Sequence, residues 1–159
     1  MMKNIEKAQS HAMESSAGLY TNTHGLKRLQ AIQTPHLYDS RPHGYSHAVE
    51  VRHVLRCIHI AGQGGQNSNG ALAPDYAAQL EQVFENIMII IEEAAATIFD
   101  IAMLRVYIVD YTQDKHQQLI QQIQKHWGEH AYPACSLIPV PALALRGMLV
   151  EIEATVYCL

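Results

Sequence analysis

Asp75 to Ala96 reads DYAAQLEQVFENIMIIIEEAAA. Tyr76, Leu80, Val83, Phe84, Ile87, Ile90, Ile91 and Ala94 recur at spacings of three and four, which puts them on one side of a helix. Gln82, Glu85, Glu92 and Glu93 fall mostly off that stripe. Pro74 and Asp75 suit a helix start, where an aspartate accepts from the first free amides. A stripe this wide lies against a sheet, so the strands are sought on either side.

Downstream, Ile101 to Val109 (IAMLRVYIV) reads as a buried strand stopped by Asp110. Thr112 caps a second helix, with Asp114 near its positive end. Its inner face carries Leu119, Ile120, Ile123 and Trp127, and it ends near Gly128. Ala134 to Val140 and Met148 to Tyr157 follow as two strands. Upstream, His47 to Val54 alternates as a strand. Leu55 to Ala61 reads as another, with Leu55, Cys57, His59 and Ala61 on one side of the pleat. Gly62 to Pro74 is glycine-rich and reads as a loop; it lacks the spacing of a phosphate cradle. The order β-β-α-β-α-β-β predicts an α+β fold, with two helices on one face of a mixed sheet. The other face stays uncovered and is expected to carry residues such as Leu149 or Ile152, so self-association is expected to bury it.

The 159 residues are 48% hydrophobic and 16% charged, the balance of one globular domain. The net charge of −4 argues against a nucleic-acid partner; the stretch Arg52 to Arg56 is the single basic hint. The longest purely apolar run, Ile87 to Ile91, is too short for a membrane, and the polar N-terminus shows no secretory leader. Cys57, Cys135 and Cys158 make an odd count without framework spacing, so a cytoplasmic location is expected. Residues 1–25 lack an apolar period and read as a mobile arm, leaving 26–159 as the domain.

Five segments stand in a particular order: Gly44–Val49 (GYSHAV), Ile60–Gln63 (IAGQ), Gln79–Asn86 (QLEQVFEN), Pro133–Ser136 (PACS) and Val150–Ala154 (VEIEA). In order and spacing the chain resembles the RidA/YjgF family, whose patterns are similar to YSxAV, SGQ, QxxQVxxN, PARS and VEIEA. The resemblance spans Leu26 to Tyr157. It implies a chorismate-mutase-like α+β fold and a homotrimer with small-metabolite clefts between subunits. It also implies hydrolysis of imines and enamines to keto acids and ammonia, without metal or cofactor.

That chemistry needs a bidentate cation for the substrate carboxylate and a group that orients the attacking water. The resemblance assigns the water-orienting acid to Glu151, and cleft positions to Tyr45, Ala61, Gly62, Ile120 and Cys135. The family's clamp arginine falls on Cys135, its SGQ serine on Ala61, and its second-helix asparagine near Ile120. A thiol cannot fork a carboxylate, so deamination of simple imino acids is expected to be poor. Two readings follow: a deaminase or hydrolase acting on another substrate, or a non-catalytic metabolite-binding trimer.

Individual residues carry plainer readings as well. Glu151 is a general base or a structural carboxylate satisfied by backbone donors at a subunit interface. Cys135 is a thiol activated by His59 or a small buried hydrophobe. Cys57 and His59 resemble half of a metal site, and His126 and His130 straddle the helix end. Arg105 and Arg146 stand in for the lost clamp or form ion pairs; Trp127 and Tyr132 pack at the helix end.

Overall fold

In the computed structural model, residues 28–32 and 34–159 are described, so the arm expected over 1–25 lies outside them. The strands are β1 (Leu29–Ile32), β2 (Ala48–Val51), β3 (Arg56–Gly64), β4 (Ile101–Val109), β5 (Ala134–Val140) and β6 (Val150–Cys158). The helices are α1 (Tyr76–Glu93), between β3 and β4, and α2 (Gln113–Trp127), between β4 and β5. One sheet runs β3-β6-β4-β5, with β4 and β5 parallel and the other pairs antiparallel. β1 and β2 form a separate antiparallel pair. The α+β class, the mixed sheet and the two helices are as expected.

Both helices start at the anticipated caps. The Asp75 carboxylate accepts from the Ala78 amide at 2.9 Å, and the Thr112 hydroxyl accepts from the Lys115 amide at 3.2 Å. α1 buries Tyr76, Leu80, Val83, Phe84, Ile87 and Ile91, and α2 buries Leu119, Ile120, Ile123 and Trp127. They meet the inner face of the sheet: Leu104, Val106 and Ile108 of β4, and Val150, Ile152, Ala154, Val156 and Cys158 of β6. Trp127 is a packing residue, as its plainer reading had it.

The open face corrects one expectation. Ile152 is fully buried on the helix side, opposite Val106, and the outer positions of β6 are Glu151, Glu153, Thr155 and Tyr157. Beside them stand Met103, Arg105 and Tyr107 of β4, and Cys57 and His59 of β3. Arg105 Nη1 donates to Glu153 at 3.2 Å, and the Tyr107 hydroxyl donates to the same carboxylate at 3.3 Å. Arg105 is therefore an ion-pair residue, and the uncovered face is polar and aromatic.

Three boundaries also differ. β1 was not foreseen; it pairs Leu29 to Ile32 with β2. β2 stops at Val51 because the chain turns at His53, whose φ is 50°. β3 runs on into the glycine-rich stretch as far as Gly64, through an irregularity between Ile60 and Gln63.

Candidate functional site

The QLEQVFEN segment of α1 pins the loops around one end of β6. Gln79 is buried; its Nε2 donates to Ala73 O at 3.0 Å and Gly147 O at 2.9 Å, and its Oε1 accepts from Leu149 N at 2.7 Å. Gly65 lies against Gln79, where a Cβ would come within 2.6 Å of the Gln79 Cα. Asn86 Nδ2 donates to Gly64 O at 3.1 Å and Gln66 O at 2.9 Å. These bonds satisfy the irregular backbone after β3 and shape a cavity of about 720 Å³ whose wall includes Gly62, Gly64, Asn67, Met148 and Glu151. Sequence reading quoted this motif for its family resemblance but did not foresee its role as a pin.

Glu151 leans over β3. A Cβ on Gly62 would overlap its carboxylate, so only glycine fits beneath it. Among the described residues of this one chain no hydrogen-bond donor reaches that carboxylate. Ala61 precedes Gly62 on the same exposed stretch of β3.

The other site residues gather at the opposite edge. Gly44, at φ 72°, turns the chain under Ile123, and a Cβ there would meet Ile123 Cγ2 at 3.4 Å. Ser46 fastens the turn to the start of β5: its amide donates to Pro133 O at 2.9 Å and its hydroxyl to Tyr132 O at 2.7 Å. Tyr45 is thereby held beside β5 and α2. It lines a cavity of about 210 Å³ with His43, His116, Leu119, Ile120, Ile123, Cys135 and Leu137. Tyr45, Ile120 and Cys135, all named from the sequence, line this one cavity; the two histidines were not foreseen.

Burial governs the protonation of this cavity. It pushes the Cys135 thiol up to about 12. It also raises Tyr45 to about 12, helped by a hydrogen bond between its phenol and that of Tyr38. Burial lowers His116, assisted by repulsion from His43. His116 Nδ1 lies 3.1 Å from the Tyr111 hydroxyl.

The activated-thiol reading of Cys135 is overturned. Cys135 pairs with Leu104 on the helix face, whereas His59 pairs with Thr155 on the open face, so the sheet separates them. His59 Nε2 lies 3.6 Å from Cys57 Sγ. Among the described residues no three His, Cys, Asp or Glu side chains gather as a metal site. His126 stacks on Phe84 at 4.7 Å, while His130 stacks on Phe99 and approaches Trp127 O at 3.0 Å, so they do not form a pair. Arg146 is exposed in the loop before β6.

The residues named from the sequence thus fall into two separate groups. One, with Gly62 and Glu151, lies by edge strand β3; the other, with Tyr45, Ile120 and Cys135, lies by edge strand β5.

Residues 39–158 match the Endoribonuclease L-PSP family. The chain belongs to this family, the RidA/YjgF family. A Rid-family protein of unknown function from Yersinia pestis, YyfB, is 38% identical, with a TM-score of 0.79 over 84% of this chain and 100% of that one. RidA from the Antarctic bacterium Psychrobacter sp. is 31% identical, with a TM-score of 0.59 over 83% and 99%. A second Yersinia pestis Rid-family protein of unknown function, YyfA, is 25% identical, with a TM-score of 0.59 over 81% and 98%. No curated protein matches the chain. Among the described residues no helix is long and apolar enough to cross a membrane.

Proposed function

We propose that this RidA/YjgF protein is a homotrimer whose small-metabolite clefts lie between protomers, and that it handles a substrate other than a simple imino acid. The observation carrying the reading is the separation of the half-sites. Glu151 and Cys135 project from opposite faces of one sheet, beside its opposite edges. One protomer cannot bring them to one ligand. A head-to-tail contact that lays the open face beside β3 of one protomer against the helix-side cavity beside β5 of the next would unite them, and a heterologous contact of that kind closes into a ring when its rotation closes. It also covers two strand edges otherwise open to pairing.

In the composite cleft Glu151 orients water, and the Gly62 amide and Tyr45 phenol flank the reacting group. Cys135 takes the place of a clamp, so the carboxylate of a simple imino acid finds no cation there. The same loss favours a second reading, a trimer that binds a metabolite without turning it over. Sedimentation equilibrium tests the assembly: the 17.8 kDa chain is expected at three times that mass. A monomer at micromolar concentration would refute the reading. Assay of ammonia release against a panel of imines and amides then separates the enzyme from the binder.

A further inference from the structure

The cavity at Tyr45 is mostly aliphatic. Leu119, Ile120, Ile123 and Leu137 supply that surface, and its polar groups are the Tyr45 phenol, the Cys135 thiol and the imidazoles of His43 and His116. Among the described residues no lysine, arginine, aspartate or glutamate lines it. The cations nearby in sequence are engaged elsewhere. Lys115 Nζ donates to Val109 O at 2.8 Å and Asp110 O at 2.9 Å. Arg41 forks Asp39, with bonds of 2.9 and 2.8 Å. Arg105 stands on the far face of the sheet with Glu153.

A carboxylate entering such a space gives up its hydration and meets no lysine or arginine, which opposes binding. An uncharged group loses less, and phenol, thiol and imidazole together offer it both donors and acceptors. Size narrows the ligand further. An apolar cavity of about 150 Å³ holds a benzene ring, and this one encloses about 210 Å³.

We infer that the cavity bounded by Tyr45, His116, Ile120 and Cys135 takes an uncharged, ring-sized ligand carrying one hydrogen-bonding substituent, and discriminates against carboxylates. This rests on the cleft reading above and names its ligand class. The protonation states agree: burial keeps Cys135 and Tyr45 protonated and His116 neutral near pH 7.

Benzamide and benzoate share a ring and differ in charge, so they isolate the point. Titrated into full-length protein labelled at isoleucine methyls, benzamide is expected to shift Ile120 and Ile123 with a Kd at least tenfold below that of benzoate. Cys135→Arg is expected to reverse the order, and Ile120→Trp, which fills the cavity, to abolish the benzamide shifts. Benzoate binding as tightly as benzamide in the wild type would overturn the inference and leave the cleft standing. If neither probe moves those methyls at millimolar concentration, both the inference and the cleft fall. Benzamide shifts that survive Ile120→Trp would place its binding elsewhere and overturn the inference as well.

Discussion

Glu151 and Cys135 sit on opposite faces of the same four-stranded sheet. Glu151 pairs with Tyr107 on the open side, and Cys135 pairs with Leu104 on the helix side. Within one chain the two side chains cannot reach a common ligand, and the proposed trimer is what would bring them together.

The first concerns the clamp. A guanidinium fork gives two charge-assisted bonds of ~1.5–3 kcal/mol each. Each ~1.4 kcal/mol is tenfold in rate, so its absence costs on the order of a hundredfold in kcat/KM on 2-aminoacrylate-type imines. Wild type is expected to be slow in keto-acid release and Cys135→Arg to gain. Wild-type activity equal to that of an arginine-bearing relative would show that another group holds the carboxylate.

The α1 pin predicts a stability effect. Gln79 is buried and makes three hydrogen bonds to the backbone at Ala73, Gly147 and Leu149. Gln79→Ala leaves those groups short of partners, at a cost of roughly 2–4 kcal/mol. Urea denaturation is expected to show a lowered midpoint. Gly65→Ala, which forces a methyl against the Gln79 backbone, should cost about 1–3 kcal/mol.

Acid should weaken the fold early. Burial lowers His126 and, in the other helix-side cluster, His116. The unfolded chain therefore binds protons more readily than the folded one below about 6.5, the ordinary imidazole value. Stability then rises with pH through that window. It is complete above the unfolded value and is lost as pH falls through it toward the lower folded value. His126→Phe keeps the stack on Phe84 and should flatten the loss between pH 7 and pH 5 in denaturant titrations. An unchanged slope would mean that His126 is not the source.

The segment expected as an arm gives a simpler test. Residues 1–25 carry no apolar stripe, and removing them stops short of Arg28, which is ion-paired with buried Asp100. Deletion of 1–25 is expected to leave the thermal midpoint within a few degrees of wild type. A large drop would show that the segment packs on the domain.

Much of this architecture was legible in the residues. The strands Ile101–Val109 and Ala134–Val140 have the bounds their patterns predicted, because each is a mostly apolar stretch set off by turn residues. Both helix starts followed from Asp75 and Thr112. β1 escaped because four residues with two half-buried positions carry almost no period. Grouping Leu149 with Ile152 on the open face was an error of parity: residues three apart cannot share a strand face, and Val150, Ile152, Ala154 and Val156 alternate with Glu151, Glu153 and Thr155. The link from His59 to Cys135 failed for a different reason. Which face each residue takes depends on the register across β3, β6, β4 and β5, and no single segment encodes that. His43 and His116 were invisible as pocket residues because the turn at Gly44 brings two distant segments together.

The composite cleft is tested most directly by a cross-link. In a Cys57→Ser, Cys135→Ser background, Glu151→Cys and Tyr45→Cys place one thiol in each half-site, on opposite faces of the same protomer. A short bis-maleimide that spans a ligand-sized gap should join Glu151→Cys of one copy to Tyr45→Cys of the next. On a denaturing gel the account predicts covalent trimer, with either single variant giving no ladder. A sample that sediments as a trimer yet stays monomeric on that gel would contradict the shared cleft.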